Sequence, residues 1–280
     1  MAALADPVID LLRGSDRDRY LSTLYAPPDR RAALSSLFAF NAEIAGIRGR
    51  VREPLAGEIR MQWWRDTIAA AEPGRQVGNP LADALCDAII HHELPRQAFD
   101  NLVEARIFDL YDDPMPSRTD LEGYCGETEG AIIQLAAMVL DPKAAPDVAA
   151  LAGHAGCALA IAGMLARLPL HRARGQCYVP RDVLAAAGTT PEAFVGGADE
   201  AAAGRAVEAM AALAREHLAA FRNGSREMPA SLRPAFLPVA LIPAYLASVR
   251  ARGVGRDAPI AGIAEWRRQW RLLGAALGRW

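Results

Sequence analysis

The chain has 280 residues, 52% of them hydrophobic and 23% charged, with a formal net charge of -2. That length supports one large domain with a substantial core. The near-neutral balance excludes a whole-molecule electrostatic field directed at nucleic acid or an anionic surface.

Arginine carries the positive side, since Lys143 is the only lysine. Cys86, Cys125, Cys157 and Cys177 are scattered without a CxxC pair, and read as separate thiols in a reducing compartment. The first twenty residues lack the basic lead and long apolar stretch of a secretory signal. No run of about 18 apolar residues marks a spanning helix. The expectation is a cytoplasmic protein, with peripheral contact to an inner membrane left open.

Helical periodicity runs through the chain, and alternating strand-like runs bounded by turns do not occur. Prolines punctuate it. Asp29 is expected to cap a first long helix, RRAALSSLFAFNAEIAGI, starting near Arg30. A second helix spans Gly57 to Ala71. A third spans Asn79 to His91, with Asn79 as cap and Pro80 in the first helical position. A fourth runs from Leu94-Pro95 through Tyr111. The fifth, Ser117 to Leu140, is mildly interrupted at Gly123 and Gly126. A sixth covers Pro146 to Leu168. Pro180 to Ala187 is short, Asp199 to Phe221 is long and alanine-rich, and Pro234 to Arg252 and Ile263 to Leu277 complete the chain. The pattern predicts a single all-α domain over 1–280.

Several residues stand out. Trp63 and Trp64 point about 100° apart on a helix, so one suits the core and the other a groove. Arg167, on an otherwise apolar helix, needs a partner: a salt bridge to Glu43, Asp66 or Glu129, or a role with Arg31 and His171 in a metal-free anion site. Glu122, Glu127 and Glu129 read as an ion-paired or solvated face rather than a metal site. His91-His92 read as an exposed helix end. In the last helix Trp266, Trp270, Leu273 and Leu277 form an apolar stripe, with Arg267, Arg268 and Arg271 mostly opposite. Closure of the bundle is the expected role of that stripe; contact with a membrane surface is the other reading. No phosphate loop, HExxH, GxSxG or Ser/His/Asp signature is present.

The stretch Gly156 to Leu184 carries a resemblance. Gly163, Arg167 and His171 are spaced four apart, followed by Arg174-Gly175-Gln176 and Tyr178-Val179-Pro180. This resembles the second metal-binding helix of the squalene/phytoene synthase family, whose pattern is Asn-x-x-x-Asp-x-x-x-Asp, then Arg-Gly-Arg and Tyr-Leu-Pro. The first motif should follow Phe38-Ala39-Phe40, and its ligand positions fall on Ala45, Gly46 and Gly49. Arg31 and the Arg60–Arg65 run match further landmarks. Within the family, AFNAEIAGIRGRV, RMQWWRDTI and LARLPLHRARGQCYVPRDVLAAAG resemble the phytoene-synthase-like mitochondrial complex I assembly factor branch.

The resemblance implies an isoprenoid-synthase-type helical bundle with a central cavity. In the family, aspartates on two facing helices hold magnesium ions, which hold the diphosphates of isoprenoid substrates. Here Ala45, Gly49, Gly163, Arg167 and His171 stand at degenerate metal positions. The resemblance therefore implies a non-catalytic, lipid-binding or respiratory complex I assembly-type protein without a metal cofactor. The alternative is an active prenyl-diphosphate transferase with a non-standard site, magnesium entering only in that case. Candidate anion- or ligand-binding residues are Arg31, Gln62, Trp64, Arg65, Arg167, His171, Arg174 and Tyr178. Implied partners are an isoprenoid or other lipid, or subunits of a respiratory membrane complex, and no nucleic acid.

Overall fold

Proline and short polar side chains set most helix boundaries in the computed structural model, which describes residues 6–255 and 258–280. The first five residues of the stretch read as lacking a leader lie outside that range. Every regular element among the described residues is helical. Asp6 caps α1 (Pro7–Ser15) and Asp16 caps α2 (Arg17–Thr23). A 3-10 turn, Pro28–Arg30, then feeds α3 (Arg31–Gly46). Asp29 is therefore not the cap expected: Pro28 starts the turn, so Asp29 lies inside it and its carboxylate pairs with Arg30 at 3.1 Å.

The second long helix, α4 (Pro54–Ala69), starts earlier than predicted because Pro54 takes its first turn. Asn79 caps α5 (Pro80–His91) as expected, accepting from the Leu81 N–H at 3.0 Å. Next come α6 (Arg96–Ile107) and α7 (Arg118–Cys125), the latter capped by Ser117. The expected mild interruption of the fifth helix is a five-residue π turn, Gly126–Gly130, before α8 (Ala131–Leu140). The Thr128 hydroxyl donates to the Tyr124 carbonyl at 2.6 Å within it.

The sixth helix, expected to reach Leu168, ends at Ala166 as α9 (Ala149–Ala166), and Pro169 prevents a straight continuation into the separate α10 (Leu168–Ala173). Beyond it lie α11 (Arg181–Ala186), α12 (Pro191–Gly196), α13 (Glu200–Gly224), α14 (Arg233–Phe236), α15 (Ile242–Arg252) and α16 (Glu265–Ala276). Helices α1, α2, α10 and α12 go beyond the predicted set.

The described residues form two compact units, each built from separated stretches of chain. The first holds the chain up to Leu110 with Ala131–Ala149 and Met228–Pro238. Its centre is α3, which packs against α1, α5 and α8. Leu34, Leu37, Phe38 and Phe40 of α3 are fully buried, and Phe40 meets Trp64 and Phe99 edge-on at 5.1 and 5.7 Å. Burying each such aromatic contributes roughly 2–3 kcal/mol.

The second unit holds Tyr111–Gly130, Ala150–Glu227 and Val239–Trp280. Here α9 lies against the π turn at Gly156, where a Cβ would stand 2.3 Å from the Gly130 nitrogen. Only glycine allows that approach. Two helical stretches, Ala145–Ala166 and Ala230–Arg252, reach the length and apolarity of a bilayer span, which the sequence reading did not expect. In each, 61% of the apolar window is buried inside the protein, as a core helix requires.

Candidate functional site

In the first unit the candidate ligand residues have structural partners. Arg31 donates to the carbonyls of Ala26 and Leu24 at 2.9 and 3.0 Å, holding the chain that enters α3. Gln62 donates to Asp66 one turn on, at 2.8 Å. Arg65 ties α4 to α6 through Asp100 at 2.6 Å and Glu104 at 2.9 Å. The Asp100 bond raises the Arg65 pKa, and the same bond lowers that of Asp100. Trp64 is 4% exposed and belongs to the core, while Trp63, 41% exposed, lines a shallow cleft with Asp66, Thr67 and Arg75. The two tryptophans thus divide between core and groove, with Trp64 on the core side.

The first-motif positions close this unit's account. Ala45 and Gly46 end α3, and Gly49 lies in the following 3-10 turn, Ile47–Gly49. Arg50 folds back over them. Its guanidinium takes both carboxylate oxygens of Glu43 at 2.8 Å and the Glu43 carbonyl at 2.6 Å. It lies 3.3 Å from where a Cβ on Gly46 would stand. The one nearby acid is thereby neutralised.

In the second unit, Gly163, Arg167 and His171 stay stacked although the helix changes direction. The Arg167 N–H still reaches the Gly163 carbonyl at 3.1 Å, and the His171 N–H reaches the Arg167 carbonyl at 3.1 Å. Arg167 is exposed rather than buried, which corrects the expected salt bridge. Glu43 already binds Arg50 and Asp66 already binds Gln62. The physical reason is the break before Pro169, which takes Arg167 out of the apolar stripe of α9. Its Nη2 lies 2.9 Å from where a Cβ on Gly163 would stand.

His171 stacks against Tyr178 with ring centres 4.8 Å apart. Burial, then the positive charges of Arg167 and Arg174, push its pKa down to about 3. The imidazole is therefore neutral near pH 7, offering one N–H donor and one acceptor. Gly175, at φ 76, ends α10: its N–H reaches the Arg172 carbonyl at 3.1 Å, and the Gln176 N–H reaches His171 at 2.9 Å. The following segment is pinned by Met115 N–H to Cys177 at 3.1 Å and Arg181 N–H to Met115 at 3.0 Å. Arg167 and Arg174 thus flank α10 at its two ends, and both charges act on His171 between them, against which the Tyr178 phenol lies. Guanidinium, imidazole and phenol donors are the chemistry that an anion takes directly.

Glu122 is ion-paired, as expected, to Arg118 at 3.0 Å and His217 at 3.1 Å, with His154 behind His217 at 3.0 Å. Arg50 is the residue the sequence reading passed over. Its signal was present: a glycine followed four residues later by an arginine, in both motifs.

Magnesium in the family manner needs several oxygen ligands around each ion. Ala45, Gly46, Gly49, Gly163, Arg167 and His171 supply no carboxylate, and a guanidinium covers two of the glycines. These residues do not fit the ion. Among the described residues, no group of three or more His, Cys, Asp or Glu is placed to hold a metal.

The family profile described as Squalene/phytoene synthase matches residues 12–272. A Mus musculus protein named NADH dehydrogenase (ubiquinone) complex I, assembly factor 6 is 30% identical over 244 residues, covering 86% of this chain and 72% of that protein. A squalene synthase from Alicyclobacillus acidocaldarius aligns with a TM-score of 0.73 at 21% identity, over 89% of this chain and 93% of that one. A dehydrosqualene synthase solved with a ligand aligns with a TM-score of 0.83 at 14% identity, over 97% and 94%. At these identities the two structures establish the all-α isoprenoid synthase fold.

Proposed function

Because this chain belongs to the squalene/phytoene synthase family, we propose that it keeps the fold without magnesium-assisted condensation and serves as an assembly-type factor for a respiratory NADH dehydrogenase. One observation carries this reading. At both motifs a glycine stands at a ligand position with an arginine guanidinium folded over it. At the second motif the exposed Arg167 repels a divalent metal and attracts the anion a metal would have held, while at the first Arg50, paired with Glu43, fills the place of the metal. The similarity to an assembly factor supports the same direction.

The ligand in this reading is an isoprenoid or other lipid with an anionic head, bound through Arg167, Arg174 and Tyr178. The protein works in the cytoplasm, in peripheral contact with the inner membrane. Deletion of the gene is expected to lower NADH:quinone oxidoreductase activity in isolated membranes. Restoration by the native chain and by no unrelated family synthase supports the proposal, and undiminished activity in the deletion strain rejects it.

A second reading follows from the same cluster. An exposed arginine, Arg167, and a half-buried one, Arg174, can themselves hold a diphosphate, making a metal-independent prenyl transferase. Incubation with farnesyl diphosphate separates the two: coupled product that disappears in Arg167→Ala favours catalysis, whereas intact substrate favours the assembly role.

A further inference from the structure

The last helix turns outward the face that a closing helix would bury. Leu272 and Ala275 of α16 are 1% and 0% exposed, and Arg268 is buried beside its partner Glu265. Trp266, Trp270, Leu273 and Leu277 are 61%, 68%, 41% and 65% exposed. At about 100° per residue these four form one stripe, roughly opposite the docked face. The expected closure by this stripe is thus corrected: a narrow sector of small and medium side chains docks the helix, and the tryptophans do not.

The surroundings of the stripe are basic. From Trp266 to the end of the chain there are four arginines and no acid, although the whole molecule is slightly negative. Arg267 and Arg271 are exposed along one flank, and the Arg267 guanidinium lies 5.1 Å from the Trp266 ring centre. The segment entering α16 is fastened to the end of α9. The Ala261 N–H reaches the Ala166 carbonyl at 3.0 Å, and Arg252 bridges Pro259 at 2.5 Å and Ala166 at 3.2 Å. Ile260, 57% exposed, sits on that segment, next to the residue bonded one position before Arg167.

We propose that α16 docks the protein onto an anionic lipid surface, laying Trp266, Trp270, Leu273 and Leu277 into the interface while Arg267 and Arg271 meet the headgroups. Tryptophan suits the boundary between acyl chain and water, and arginine beside it adds attraction to anionic lipid. A second copy fits less well. The four side chains expose on the order of 500 Å², short of the ~800 Å² per partner that a stable dimer buries. Symmetric apposition would also bring like charges together. The proposal rests on the reading of the protein as one that works at a membrane. It adds which surface makes the contact and which lipid charge it prefers, and it brings the cationic cluster of α10 toward lipid headgroups through the segment fastened to α9.

Flotation of the purified full chain with vesicles tests this. Binding is expected on phosphatidylcholine vesicles containing about a third phosphatidylglycerol, and to be at least about tenfold weaker on phosphatidylcholine alone. Trp266→Ser with Trp270→Ser should abolish flotation without changing helicity, because both side chains are already in water. Arg267→Gln with Arg271→Gln should weaken anionic binding by about fivefold per arginine and flatten its salt dependence. Leu55→Ser with Ile59→Ser, on the exposed face of α4, should leave flotation unchanged. No binding, equal binding to both vesicle types, or undiminished binding by the tryptophan variant overturns the proposal. So does a dimer in light scattering that the tryptophan variant converts to monomer. If flotation fails while the deletion strain still lacks NADH dehydrogenase activity, this surface is wrong and the assembly reading stands.

Discussion

A glycine with an arginine four residues later occurs at Gly46–Arg50 and at Gly163–Arg167, and in both places the guanidinium folds back over the glycine. The spacing was legible in the sequence, since residues four apart on a helix are neighbours. The exposure of Arg167 was not. It depends on where α9 ends, and Pro169 allowed several endings. His171 makes stability depend on pH. Unfolded, its imidazole takes up a proton near 6.5; folded, it resists until about 3. Between those values the unfolded state holds more protons, so acid lowers stability. Urea denaturation at neutral pH and near pH 5 should show a loss of roughly 1–2 kcal/mol that His171→Gln reduces. An unchanged pH slope in that variant would remove His171 as its source.

Among elements, the contact of α9 with the π turn is the most constrained. A methyl group on Gly156 would meet the nitrogen and Cα of Gly130 at 2.3 and 2.5 Å, both backbone atoms that no rotamer change can move. Gly156→Ala is expected to cost about 2–4 kcal/mol. Gly126→Ala, with no atom within 4 Å of the new carbon, should be neutral or slightly stabilising. Thermal melts that rank the two variants the other way would refute the close approach. The sequence read the fifth helix only as mildly interrupted. A π turn leaves no composition mark of its own; it follows from what presses on Gly130. The final helix shows the converse problem. It has an apolar stripe and a small-residue sector, and periodicity alone does not say which one docks.

At the scale of the whole molecule, the all-α class and the family frame were readable from proline spacing and from the Arg174-Gly175-Gln176 and Tyr178-Val179-Pro180 landmarks. The division into two units was not, because the chain leaves the first at Leu110, returns at Ala131, and does so again at Met228. We propose that 1–280 is nevertheless one folding domain, because neither unit is a continuous segment that folds without the other's connections. Helicity and tryptophan fluorescence should then lose signal in one coincident thermal transition. A fragment ending at Glu227 should fail to fold, as it lacks strands of chain from both units. Two separated transitions would argue for independent domains.

The arginine lying over Gly163 also bears on ancestry. Restoring the family's asparagine there alone would still leave the guanidinium four residues ahead lying against the new side chain. The same holds at Gly46 with Arg50. A single substitution at either glycine therefore leaves a guanidinium over the place that a magnesium ion would need.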